Sequence, residues 1–274
     1  MNKTKVSLLI IGFDPYKDVW DHYFELLEKY WQDRPKTYLA TNEIVPDYHN
    51  VEVLPAGKNA EWSQKVIKAL TQIDSEYVIL LLEDFFTTSA VDNSNIEELV
   101  EYMESYHLNY CKLLNQSKIK GHKFCGKKYL RIIDKNADYG ISLQPAIWRK
   151  EFLIELVGTE NYNAWIFEFR QVKEKKQNKN RIDCIGDRRN ILKITHAVVQ
   201  SKYLRSAVHV FKKQNYILNT SVRPMLSVKE NFKYRLKGFF SEYTPKFIKP
   251  FLKKIGRIIK IDFVSDRQLK EKEK

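Results

Sequence analysis

The chain has little cysteine: Cys111, Cys125 and Cys184 are the three in 274 residues. The number is odd and no pair has C-x-x-C spacing, which excludes a disulfide framework and a zinc ribbon or finger, and predicts a reducing compartment. Glycine and proline are also scarce, at 9 and 8, so collagen-like and low-complexity organisation is excluded, and no internal repeat is visible. No stretch approaches the roughly 20 apolar residues of a spanning helix. The opening MNKTKVSLLIIGFDP has only a short apolar run and no small-residue cleavage site, so neither a secretory leader nor a membrane span is expected. Acid is the last shortage: 34 Asp and Glu face 47 Lys and Arg, a net charge of +13. Such an excess points to an anionic partner, whether nucleic acid, nucleotide or acidic membrane.

What is present belongs to a folded protein. Hydrophobic residues make up 43% and aromatics 13%, enough for one large α/β domain or two small ones. Sixteen Tyr, fifteen Phe and five Trp suit an aromatic core and equally a site that stacks on bases or sugars. Lys5 to Ile11 (KVSLLII) reads as a strand buried on both faces of a parallel sheet, ended by the turn Gly12-Phe13-Asp14-Pro15. Trp20, Phe24, Leu27 and Trp31 recur at helical spacing, and Pro35 closes that helix. Thr37 to Ala40 and Val51 to Leu54 read as short strands. Trp62, Val66, Ala69, Leu70 and Ile73 mark a second helix, and Tyr77 to Leu82 (YVILLL) is the strongest buried strand. The order strand, helix, strand, strand, helix, strand predicts an open, mostly parallel sheet with crossover helices.

Beyond it, a third helix is expected from Asn95 to Tyr106, capped by Ser94 or Asn93. Short strands are expected at Cys111 to Leu114, Tyr129 to Ile133 and Tyr139 to Leu143, around a Lys- and Gly-rich hairpin near Lys118 to Lys128. A helix is predicted to begin near Trp148, and the polar run Val172 to Asn180 reads as a solvated helix end or loop. Ile191 to Val199 and Leu204 to Phe211 close the domain.

Ligands of open α/β sheets bind beyond the carboxyl ends of the strands, and Glu83-Asp84 emerges there after YVILLL. Paired carboxylates at that position suit a Mg²⁺ or Mn²⁺ ion bridging a diphosphate, with the capping of the next turn as the structural alternative. A lone carboxylate, Glu168, sits among aromatics in Asn163-Ala164-Trp165-Ile166-Phe167-Glu168. Apolar surroundings raise a carboxyl pKa and suit it to accept a proton from a hydroxyl; pairing with Arg170 or a lysine is the alternative. His196, in ILKITHAVVQ, is a candidate for bonding a phosphate or completing a metal shell, or else a satisfied histidine.

The run Trp62 to Phe86 (WSQKVIKALTQIDSEYVILLLEDFF), the opening FDPYKDVWDHYFELLEKYW, and the later ISLQPAIWRKEFL and NAWIFE resemble bacterial GT-A-type glycosyltransferases of capsule and lipopolysaccharide (surface polysaccharide) clusters. Together they cover most of residues 5 to 210. The resemblance implies a single GT-A-like (Rossmann-like) domain with Glu83-Asp84 in place of the family's D-x-D signature, holding the metal. It implies donor contacts from Asp14 and Tyr16 after the first strand, from Thr41 after the second, and from Trp62, Glu83, Asp84 and Gln144. It further implies Glu168 as the catalytic base and Trp148, Trp165 and His196 on the acceptor side.

The excess charge lies late in the chain. Between Lys229 and Lys260 there are ten Lys or Arg and two Glu. Phe247, Ile248, Phe251, Leu252, Ile255, Ile258 and Ile259 fall on one helical stripe among the lysines, with Thr244-Pro245 as its start. Such a helix lies in the interface of an anionic bilayer or packs on the domain with its lysines outward. The expected division is therefore 1–228, a nucleotide-sugar-binding and catalytic domain, and 229–274, a basic amphipathic helical tail. The expected activity is transfer of a sugar from a nucleotide-diphosphate sugar to a hydroxyl of a lipid-linked surface polysaccharide, at the cytoplasmic face of the cell membrane. Two alternatives stand beside it: a non-catalytic transferase-like scaffold or glycan-binding protein, told apart by whether Glu83, Asp84 and Glu168 converge, and a nucleic-acid-binding protein. The last has no finger, RNP or helix-turn-helix pattern behind it, so nucleic acid is not an expected partner.

Overall fold

The structure is a computed structural model that describes residues 5–114, 121–133, 140–174 and 183–243. β1 (Val6–Ile11) is the sheet's central apolar strand, and every one of its residues is buried. It leads through a single 3-10 turn into α1 (Lys17–Tyr30), then β2 (Thr37–Thr41), β3 (Val51–Pro55), α2 (Trp62–Leu70) and β4 (Tyr77–Leu82). These elements match the strand and helix order read from the sequence. β5 (Phe85–Thr87), α3 (Asn93–Ser105), β6 (Tyr110–Lys112), β7 (Leu130–Ile132), β8 (Ala146–Arg149), α4 (Lys150–Val157) and α5 (Ala164–Glu174) follow. β9 (Cys184–Asp187), β10 (Ile194–His196), β11 (Val198–Val199), β12 (Lys202–Tyr203), α6 (Arg205–Lys213) and α7 (Val228–Tyr243) complete the described chain.

An eight-stranded sheet of order β3-β2-β1-β4-β8-β6-β9-β7 organises the molecule. β3, β2, β1 and β4 run parallel, β8 is inserted antiparallel between β4 and β6, β9 runs parallel to β6, and β7 closes the edge antiparallel. Alternate residues of the central strands feed two cores. Leu8, Ile10, Ile79 and Leu81 pack with Trp20, Tyr23, Leu27 and the apolar residues of α3 and α6 on one face. Leu9, Ile11, Val78 and Leu80 pack with Trp62, Val66, Leu153 and Phe167 of α2, α4 and α5 on the other. This double burial is why β1 and β4 read as continuous apolar runs. At the end of β1, Gly12 lets α1 approach: a Cβ there would lie 2.7 Å from the Trp20 ring.

Three local expectations are corrected. The cap of α3 is Asp92, whose side chain accepts from the Ser94 amide, and the helix starts at Asn93. Trp148 lies on strand β8 and not at a helix start; the helix begins two residues later, at Lys150, so the apolar character of both elements merged into one helical pattern. No strand forms over 140–143. The division at 228/229 falls at the first residue of α7, which is bonded to the domain through Lys202 and Glu230 at 2.6 Å. The stripe from Phe247 to Ile259, with its start at Thr244-Pro245, lies outside the described residues. Among the described residues no helix is long and apolar enough to cross a membrane.

Candidate active site

The carboxyl ends of the parallel strands β1, β2 and β4 lie side by side. After β1, the Asp14 carboxylate accepts the backbone N–H groups of Asn42 at 2.8 Å, Glu43 at 2.8 Å and Ile44 at 3.0 Å. Its two oxygens accept all three bonds, so Asp14 orders the loop after β2. Phe13 precedes it, half exposed. Tyr16 bonds Ser201 Oγ at 2.8 Å and lies under the Arg223 guanidinium at 4.1 Å. Arg223 in turn pairs with Asp18 and donates to Ser201 O. This cluster ties the β11–β12 turn, where Gln200 and Ser201 adopt φ of 51° and 60°, to the end of β1.

Glu83 and Asp84, adjacent in sequence, enter different surroundings. Glu83 is buried, and its carboxyl is pushed up to about 8, first by that burial and then by the Asp84 charge; the Phe13 backbone and Lys65 oppose the shift. Lys65 reaches from the buried face of α2 to donate to Gly12 O at 2.5 Å and Asn42 Oδ1 at 3.2 Å, and burial lowers its pKa. Asp84 instead meets His196: Oδ2 and Nε2 are 2.8 Å apart, and Oδ1 is buried with no hydrogen-bond partner. The pairing follows from the small sheet of β5 and β10, whose register sets His196 opposite Phe85. The Phe85 ring stacks on the imidazole at 5.0 Å, and the Ala197 amide donates to Asp84 O at 2.7 Å. Tyr234 of α7 bonds His196 Nδ1 at 3.4 Å.

This geometry bears on the expected metal. Among the described residues no group of three or more His, Cys, Asp and Glu gathers around one point. A Mg²⁺ or Mn²⁺ ion needs fewer protein ligands when substrate phosphates and waters complete its shell. The orphaned Asp84 Oδ1 beside the His196 imidazole fits that chemistry. Glu83 is the more enclosed of the two, and its burial favours the neutral form.

Glu168, on α5, is half-buried, and its pKa is raised by that burial, with the Leu143 amide hydrogen bond and the Lys112 charge opposing. It accepts the Leu143 amide at 3.1 Å. Arg170 pairs with Glu160 and stacks on Tyr162, while the Lys112 charge acts on Glu168, in line with the alternative of pairing with a lysine. Leu143 and half-buried Gln144 immediately precede β8, which runs antiparallel to β4; they therefore lie at the same end of the sheet as Glu83 and Asp84. Three residues expected at ligand surfaces are enclosed. Trp148 is fully buried against Tyr110 at 4.4 Å, Trp62 packs on Phe167 at 5.0 Å, and Thr41 has no exposed surface. Large aromatics and a β-branched strand residue are core at these positions because both sheet faces are covered. Trp165, 60% exposed, remains available.

No protein family and no curated protein matches this chain in sequence. Solved structures of similar course include Staphylococcus aureus TarS, at 13% identity over 90% of this chain with a TM-score of 0.46. The chain spans about half, 47%, of that protein. S. aureus TarS 1-349 in complex with UDP-GlcNAc gives 14% identity, 90% and 78% coverage and a TM-score of 0.40. A cytidylyltransferase from Leptospira borgpetersenii gives 12% identity, 95% and 99% coverage and a TM-score of 0.41. At these scores the likeness carries no weight for chemistry, so function rests on the site itself.

Sequence reasoning missed Lys65, Phe13, Arg223 and Tyr234. Lys65 had a signal: it lies three residues after Trp62, on the stripe that α2 buries. Arg223 and Tyr234 had none, because only the folded chain brings them to Tyr16 and His196.

Proposed function

We propose that the protein is a glycosyltransferase that moves a sugar from a nucleotide-diphosphate sugar to a hydroxyl of a lipid-linked surface polysaccharide. The observation that carries the reading is the Asp84–His196 pair, 112 residues apart in sequence, at the carboxyl ends of a mostly parallel sheet. A Mg²⁺ or Mn²⁺ ion held there by Asp84 and His196 would neutralise the developing charge of the nucleoside diphosphate leaving group. Asp14, by ordering the loop after β2, shapes the donor wall beside the exposed Phe13 ring. Glu168 takes the proton from the acceptor hydroxyl as the anomeric bond to the diphosphate breaks and the new glycosidic bond forms. Its burial supports that role by holding the carboxyl above its ordinary range. Trp165 offers an exposed flat face, on the same helix, for an acceptor sugar. The positive segment from Lys229 to Lys260 supports work at an anionic membrane surface.

A thermal-shift screen of nucleoside diphosphate sugars with and without Mn²⁺ tests the reading. A true donor should raise the melting temperature, and more so with the metal.

A further inference from the structure

α7 presents one face to the domain, and that face ends on the candidate site. Glu230 and Tyr234 are four residues apart and so lie on the same side of the helix. Glu230 reaches Lys202 of β12 at 2.6 Å. It also closes a reciprocal capping box with Ser227: the Ser227 amide donates to Glu230 Oε2 at 2.8 Å, and the Glu230 amide donates to Ser227 Oγ at 3.2 Å. One turn on, Tyr234 Oη lies 3.4 Å from His196 Nδ1. Val228 and Phe232 are exposed, at 70% and 64%. The helix is seated by its polar side, through contacts whose last member is an imidazole nitrogen.

We propose that Tyr234 is a positioning residue for His196, orienting the imidazole so that Nε2 faces Asp84 and any cation the two residues share. The proposal rests on the metal-assisted reading above. The imidazole is held at three points: Nε2 by Asp84, one ring face by Phe85 and Nδ1 by Tyr234. A phenol both donates and accepts. With the ring hydrogen on Nε2, shared with the Asp84 carboxylate, the Tyr234 hydroxyl donates to Nδ1. With a cation on Nε2, the hydrogen resides on Nδ1 and the Tyr234 oxygen accepts it, the outer-shell contact that metal-bound histidines require. A backbone carbonyl serves only the second state and an ammonium only the first; a hydroxyl serves both. The 3.4 Å separation is long for such a bond.

The test uses the full-length chain and four forms: parent, Tyr234→Phe, Asp84→Asn and His196→Ala. Mn²⁺ binding is read from the electron paramagnetic resonance of free Mn²⁺, alone and with UDP, GDP or CDP, and the His196 tautomer from long-range ¹H–¹⁵N correlations in the metal-free protein. Asp84→Asn and His196→Ala should abolish binding. Tyr234→Phe should weaken it by about 10-fold or more and shift His196 from the Nε2–H form to a mixture of tautomers, with the melting temperature unchanged. Mn²⁺ affinity and a His196 spectrum unaltered in Tyr234→Phe, with binding lost in the other two variants, would overturn the positioning role alone. Binding untouched by Asp84→Asn and His196→Ala would overturn the metal reading and the proposal with it.

Discussion

Glu83 and Asp84 share a strand end and little else. Burial holds Glu83 in its neutral form, with a pKa raised from the ordinary 4.5 to about 8. The folded state therefore keeps a proton that the unfolded chain releases, and stability declines as pH rises between those two values. Lys65, lowered by the same burial, acts in the opposite sense and only in the alkaline range below 10.5. Glu83→Gln should keep the shape and remove the decline: its melting temperature, relative to the parent, should climb from pH 5 to pH 8.5. Parallel curves over that range would show that Glu83 is ionised in the fold. Glu168 lends itself to a kinetic test. Gln at 168 can still accept the Leu143 amide but cannot take a proton, so Glu168→Gln should lower turnover by about 10²-fold with donor affinity unchanged. Full turnover in that variant would return the residue to a purely packing role. Both acids were visible in sequence, one at a strand end and one among aromatics. The raised pKa of Glu168 was expected from the aromatics beside it in sequence, but in the fold Trp165, Ile166 and Phe169 are exposed, and Leu143 and Lys112 act on the carboxyl. Glu83 is buried by Phe13 and α2, which come from distant parts of the chain.

At the scale of elements, the strong signals were those with one uninterrupted period. β1 and β4, buried on both faces, and α1 and α2, each with a single apolar stripe, stand where the sequence sets them. The short elements β5, β8 and β10 owe their existence to pairing: FFT pairs with ITH, and AIWR fills the gap between β4 and β6. Three or four residues carry no periodicity, and tertiary context decides them. The consequence reached the site, since Trp148 was read as a helix-start aromatic and is a core strand residue. α7 is the element whose role changes most. The sequence expectation is that truncation after Ser227 leaves a folded, nucleotide-binding domain and removes membrane attachment. Among the described residues both cores end by Leu226, so the truncated chain should still melt cooperatively. It should bind Mn²⁺ more weakly, through loss of Tyr234, and should no longer pellet with anionic vesicles, whereas the full chain does so until salt screens it over about 8 Å. A truncated protein with parental Mn²⁺ affinity would exclude α7 from the site, and one that aggregates would make α7 part of the core.

At the scale of the molecule, the sheet divides the labour. Its parallel half, β3-β2-β1-β4, carries Gly12 to Asp14, the loop from Asn42 and the acidic pair at its carboxyl end. Its mixed half positions the 140–145 segment and, through it, Glu168. The C-terminal elements fold back over the first half, bringing His196, Arg223 and Tyr234. Charge is uneven along the chain: the segment 229–260 accounts for +8 of the chain's +13, which leaves the remainder only mildly basic. The alternation of strands and helices made the parallel half legible, whereas the return of the chain onto it was not, because contacts across more than 100 residues leave no local pattern. The most direct measurement compares the parent and Asp84→Asn, each melted with a nucleoside diphosphate sugar in the presence and absence of Mn²⁺. The account predicts stabilisation of the parent that depends on Mn²⁺, about 2.7 kcal/mol at a hundredfold excess over Kd, and none for Asp84→Asn, whose fold stays intact. Equal stabilisation of the two proteins, or none of the parent by any donor, would contradict it.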